Sequence, residues 1–87
     1  MSLEQAIQLI DQIISDRTVP RNIRNAVEES KKALNNKEWQ PEVRISTAIQ
    51  MLDEIINDPN MPIYARTKIW NIVSILEQEK RNVKEKA

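Results

Sequence analysis

The chain carries its own copy. Residues 6–34, AIQLIDQIISDRTVPRNIRNAVEESKKAL, align without a gap on residues 48–76, AIQMLDEIINDPNMPIYARTKIWNIVSIL, at a constant offset of 42. Ten of the 29 aligned pairs are identical, among them Asp11/Asp53, Asp16/Asp58, Pro20/Pro62 and Arg24/Arg66. Chance likeness of two amphipathic helices does not align a proline and a turn as well. One local unit used twice is therefore the constraint that any fold must satisfy.

Each unit reads as two helices. Leu3, Ala6, Ile7, Ile10, Ile13 and Ile14 recur at the spacing that lays one apolar stripe on a helix, and Ile45, Ala48, Ile49, Leu52, Ile55 and Ile56 do the same. Pro20 and Pro62 cannot continue those helices but fit the first turn of new ones, with Thr18 and Asn60 as expected N-caps and a Ser2/Gln5 capping box at the start of the first helix. The second helices present Ile23, Ala26, Val27, Ser30 and Leu34 in one copy and Ala65, Ile69, Ile72, Val73 and Leu76 in the other. The sequence contains no glycine, so Asn35, Asn36 and Asn57 are the expected substitutes at helix ends.

These readings give an all-α chain of two tandem helix-turn-helix hairpins, arranged as a four-helix bundle or a short HEAT-like stack. It forms a single domain over residues 1–87. Hairpin one covers about 2–35, a polar linker 36–41, hairpin two about 42–78, and a charged tail, expected to fray, 79–87.

Composition narrows the chemistry. With no Cys and no His, the chain lacks thiolate and imidazole ligands, cysteine nucleophiles and the commonest acid/base at neutral pH, so neither catalysis, a metal, a cofactor nor a small-molecule substrate is expected. No basic-then-apolar leader and no apolar run near the roughly 20 residues of a membrane span is present, which gives a cytoplasmic expectation. Thirteen bases balance thirteen acids, but they are segregated. Residues 1–16 hold three acids and no base, 17–37 six bases and two acids, 38–58 five acids and one base, and 59–87 six bases and three acids.

Three groups of residues stand out. Asp16 and Asp58 lie at helix C-termini, where the macrodipole opposes negative charge, and Arg24 and Arg66 are their expected partners in turn architecture. Asp11 and Asp53 lie mid-helix and read as solvated or Arg-paired rather than metal-binding. Arg17, Arg21, Arg24 and Lys31 make a basic stripe on the second helix. Phosphates of DNA or RNA are one reading of that stripe, and charge complementarity with an acidic first helix is the other.

The two copies also differ. Ile63 and Trp70 replace Arg21 and Glu28, and with Tyr64 and Ile75 they make the last helix apolar almost all round. Such a helix is either the covered centre of a monomer, with Trp39 of the linker lying over it, or an interface. Trp39, Ile63, Tyr64 and Trp70 are thus the candidate interface residues, for a homodimer or an unidentified protein partner, the more so because stacked hairpins need their end faces covered.

Two resemblances follow from these residues. The period of 42, the turn Asp and the strings Asn22-Ile-Arg-Asn-Ala26 and Asn60-Met-Pro-Ile-Tyr-Ala-Arg66 resemble HEAT-type helical hairpins, which implies a binding surface on stacked second helices. Thr18-Val-Pro-Arg-Asn-Ile-Arg24, Asn57-Asp-Pro-Asn-Met-Pro62 and Arg66-Thr-Lys-Ile-Trp-Asn-Ile-Val73 resemble a family of short archaeal proteins of uncharacterised role, up to about Glu77. That resemblance implies an archaeal, cytoplasmic, all-helical protein and carries over no catalytic or ligand residues. The resulting expectation is a noncatalytic helical interaction module acting through its last helix, with a nucleic-acid-associated accessory protein as the alternative.

Overall fold

A computed structural model describes residues 3–86, with side chains as far as Lys84. Its elements are α1 (Glu4–Ile14), α2 (Arg21–Leu34), α3 (Pro41–Ile55) and α4 (Ile63–Lys86). Each helix packs on its neighbours in sequence, and α4 returns to pack on α1, while the diagonal pairs α1/α3 and α2/α4 keep their backbones apart. The result is a closed up-and-down four-helix bundle, measuring 39 × 22 × 20 Å. It is not a HEAT-like stack. In a stack the second helices would lie side by side, whereas α2 and α4 are diagonal, and ring closure covers the end faces that two stacked hairpins would leave open.

The apolar stripes meet at the centre. Ala6, Ile10 and Ile13 of α1, Ile23, Val27 and Leu34 of α2, Ile45, Ala48 and Leu52 of α3, and Ala65, Ile69, Ile72 and Leu76 of α4 are all buried. Ser30 is buried among them and satisfies its hydroxyl locally by donating to the Val27 carbonyl at 2.6 Å. Charge follows the same ring. α1 carries two acids and no base, α2 four bases and two acids, α3 three acids and one base, and α4 six bases and three acids. Every pair of packed neighbours is therefore acidic against basic, which favours this order of helices over one that pairs like with like.

All three connections are the same device. After each helix an N–H closes back by three residues (Asp16 to Ile13, Asn36 to Ala33, Asp58 to Ile55). The same Asp16, Asn36 or Asp58 side chain then accepts from the N–H two residues on, at 2.9, 3.1 and 2.8 Å, forming an Asx turn. These closures need no left-handed residue, and no described residue has positive φ. Helices α2 and α4 begin at Arg21 and Ile63, later than caps at Thr18 and Asn60 would place them. Pro20 is the N-cap residue of α2, and no side chain caps that end, because Thr18 Oγ1 is spent on Asp16 at 2.6 Å. The α1 N-cap is Leu3, without a side-chain bond; Ser2 of the expected capping box lies outside the described residues.

The polar linker expected at 36–41 is thus a third tight turn, with Pro41 already the first residue of α3. The charged segment after Gln78 stays helical to Lys86, with Val83 packed on the core. Glu, Gln, Lys and Arg are good helix formers, and α4 continues through them once its first four turns are anchored. No described helix is long and apolar enough to cross a membrane.

Candidate functional site

The inward stripe of α4, Ala65, Ile69, Ile72 and Leu76, fixes what faces outward. Ile63 and Trp70 are seven residues apart, which returns the chain to nearly the same azimuth on a helix, and they are 79% and 56% exposed. Thr67, Asn71, Ser74 and Glu77 continue the same exposed face. Beside Trp70 lies a shallow groove of about 270 Å³, lined also by Ile56 and Asn57 from the end of α3 and by Arg66. Two large apolar side chains thus stand exposed on a face whose other members are polar or charged.

Arg66 builds one edge of that groove. Its Nε donates to the Ile56 carbonyl and its Nη2 to the Asp58 carbonyl, both at 3.1 Å. The expected Asp58–Arg66 ion pair does not form. The guanidinium donates instead to carbonyls just past the end of α3, that of Asp58 also taking the Met61 N–H at 3.1 Å, and the Asp58 carboxylate takes the Asn60 N–H and, at 3.0 Å, Asn22 Nδ2. Asp16 likewise turns to Thr18 rather than to Arg24. Those bonds, from the Thr18 hydroxyl first and its N–H second, hold the Asp16 carboxyl below its ordinary value of 3.8, with Lys68 and Tyr64 adding to the effect.

Tyr64 leaves the Trp70 patch. It projects about 100° around the helix from Ile63, and its hydroxyl bonds Thr18 Oγ1 in the neighbouring turn. Because Thr18 gives its own proton to Asp16, Tyr64 is the donor. Asn22, 42 residues earlier, makes the reciprocal cross-turn bond to Asp58. Tyr64 and Asn22 thus join the two turns at one end of the bundle.

Trp39 lies at the other end, in the turn before α3, about 20 Å away along the 14 residues of α2. It does not cover Trp70, and the expected four-residue cluster is not one patch. Trp39 occupies the position that Val19 and Met61 fill in the other turns, where both are buried. Its indole is too large for that plug and remains 38% exposed beside exposed Val43.

The basic stripe is divided. Lys31 Nζ pairs with Asp11 Oδ1 at 2.7 Å across α1 and α2, so that aspartate is Lys-paired. Arg24 is half-buried, with an enclosed Nε that lacks a hydrogen-bond partner. Arg17 and Arg21 remain exposed. Sequence reasoning missed Arg44, which donates through Nε to the Trp39 carbonyl at 2.9 Å and through Nη2 to the Lys37 carbonyl at 3.3 Å. An Asx residue eight positions before an Arg occurs at 16/24, 36/44 and 58/66, and that spacing was the available signal.

The chain as a whole is similar to known proteins. The profile of an uncharacterised protein family, UPF0147, matches residues 1–78. A UPF0147 protein of Pyrococcus horikoshii is 51% identical over 79 residues, spanning 90% of this chain and 85% of its own length. One from Methanocaldococcus jannaschii is 57% identical over 72 residues, spanning 83% and 77%. Among solved structures, the crystal structure of a protein of unknown function superimposes with a TM-score of 0.84 at 53% identity, covering 86% of this chain and 85% of that one. A UPF0147 protein from Thermoplasma acidophilum does so at 0.81 and 38%, covering 85% and 87%. With its four-helix architecture shared by solved relatives and its sequence matched nearly end to end by archaeal proteins, the chain belongs to the UPF0147 family.

Proposed function

We propose that this protein is a noncatalytic helical interaction module that self-associates through the outer face of α4. One observation carries the reading: Ile63 and Trp70 are 79% and 56% exposed on one helical face, in a bundle whose core closes without them. Their counterparts 42 residues earlier, Arg21 and Glu28, are the charged residues expected on a solvated surface. Exposed Trp is a typical interface anchor, since its large rigid surface gains much on burial at little entropic cost.

Light scattering of the pure protein over a concentration series tests the reading. A mass rising to that of a dimer, and remaining that of a monomer for Trp70→Glu, is the expected result, with the variant melting below the wild type only at concentrations where the wild type is dimeric. A wild-type chain that stays monomeric at millimolar concentration, or a dimer indifferent to Trp70→Glu, would overturn it.

A further inference from the structure

The charge along α4 specifies how a second copy docks. From Ile63 to Leu76 the only charged residues are Arg66 and Lys68, both basic, and the next charged residue is Glu77. Lys68 lies on the far side, where it acts on Asp16. The outward seam therefore reads Ile63, Arg66, Thr67, Trp70, Asn71, Ser74, Glu77, with a cation at one end and an anion at the other. Glu77 is exposed and joins none of the ion pairs among the described residues. Arg66 uses Nε and Nη2 on carbonyls of the preceding turn, leaving Nη1 for another acceptor.

Resting on the self-association reading above, we infer that two copies pair α4 against α4 in antiparallel register, Glu77 of each opposite Arg66 of the other and the two Trp70 rings side by side at the twofold axis. A parallel pair would set Arg66 on Arg66 and Glu77 on Glu77, two like-charge contacts in place of two attractive ones. An antiparallel pair with 66 opposite 77 is centred between residues 71 and 72. Trp70 then lies about 2 Å along the helix from the axis, so the two indoles overlap in the offset arrangement that aromatic rings prefer. Ile63 of each copy meets the aliphatic stem near Arg81 of the other. The contact is isologous and closes as a dimer without propagating.

The absence of native cysteine permits the test. Asn71→Cys and Gln78→Cys, each carrying a single nitroxide label, are compared by electron paramagnetic resonance at concentrations where light scattering reports the dimer. In the antiparallel register the two labels at 71 lie within a few Å of each other along the helix, and those at 78 about 20 Å apart. Strong dipolar broadening is therefore expected at 71 and little at 78, together with a dimer weakened at least tenfold by Glu77→Arg and less so by Glu77→Gln. Equal broadening at both positions in a dimer that still depends on Trp70 would overturn the antiparallel arrangement while leaving self-association standing. So would a dimer strengthened or unchanged by Glu77→Arg. A wild-type monomer removes both conclusions.

Discussion

Arg66 reaches back across the last turn to the main chain of Asp58, donating Nη2 to its carbonyl at 3.1 Å while leaving its carboxylate to Asn60 and Asn22. A charged side chain that donates to two carbonyls at a helix end closes that end more tightly than a surface ion pair does, because charge-assisted bonds to backbone acceptors are the stronger ones, although the Asp58 carbonyl also takes the Met61 N–H at 3.1 Å. Arg66→Ala is expected to lower stability by about 1–3 kcal/mol, the range for breaking charge-assisted bonds to partly buried acceptors. Arg44→Ala, with one bond at 2.9 Å and one at 3.3 Å, should cost less. Arg24→Ala should cost least of the three, since its enclosed Nε makes no bond whose loss would be felt. Urea unfolding of the three variants checks the order, and a larger loss at Arg24 than at Arg66 would contradict it.

Asp16 ties stability to acid. Its carboxyl is held below its ordinary 3.8 by the Thr18 hydroxyl and N–H, so the folded chain binds its proton more weakly than the unfolded chain does. The resulting stabilisation is present above the unfolded value and is lost as pH falls through the folded one. Asp16→Asn keeps an oxygen for the Thr18 N–H and removes the titration. Because the Asn side chain lacks the carboxylate's contribution, a melting temperature somewhat below wild type is expected at neutral pH, with a shallower decline below about pH 4 as the wild type loses the same contribution. Melting curves from pH 7 down to pH 2 measure both; identical acid limbs would show that Asp16 contributes nothing to the decline.

Lys31 and Asp11 link α1 to α2 at 2.7 Å, but their side chains are 34% and 49% exposed. Water and salt screen such a pair, and a coupling of about 0.5 kcal/mol is expected from a double-mutant cycle of Lys31→Met and Asp11→Asn, shrinking in molar salt. Asp53, the counterpart of Asp11, is exposed, and the position matching Lys31 is Val73. Asp53→Asn should leave the melting temperature unchanged.

Much of this bundle is written in its apolar periodicity. The stripes of all four helices reach the core as spaced, and the exposure of Ile63 and Trp70 follows from their azimuth. What escaped notice was relational. The turn at 36–41 carries Asn36 in place of Asp and Arg44 at eight residues' distance, but an offset of 42 compares hairpin with hairpin and so skips the connection between them. Tyr64 reads as part of an apolar face because its ring is large, whereas its hydroxyl decides its position by bonding Thr18. Closure of α4 onto α1 rather than stacking depends on the sum of contacts among elements far apart in sequence, which no single stripe reports. The pairing of acidic with basic helices around the ring was visible as alternating charge blocks, and between α1 and α2 it becomes an ion pair at Asp11 and Lys31.

The end of α4 offers the sharpest contrast between charge and packing. By composition residues 79–86 belong in solvent, and an ion pair from this segment, Lys84 with Glu42 at 3.7 Å, is exposed on both sides. Val83, in contrast, is half-buried and packs against the core. If packing holds this segment, Val83→Ala should cost about 1 kcal/mol, the worth of two partly buried methyl groups, while Lys84→Ala should be close to neutral. Truncation after Gln78 removes Val83 and the helical turns that present it, and should lower the melting temperature at least as far as Val83→Ala. Circular dichroism at 222 nm adds an independent measure, because loss of a helical segment reduces the signal per molecule and loss of a frayed one does not. A truncated chain with the full-length melting temperature and no loss of ellipticity would show that the helix beyond Gln78 contributes nothing to the fold.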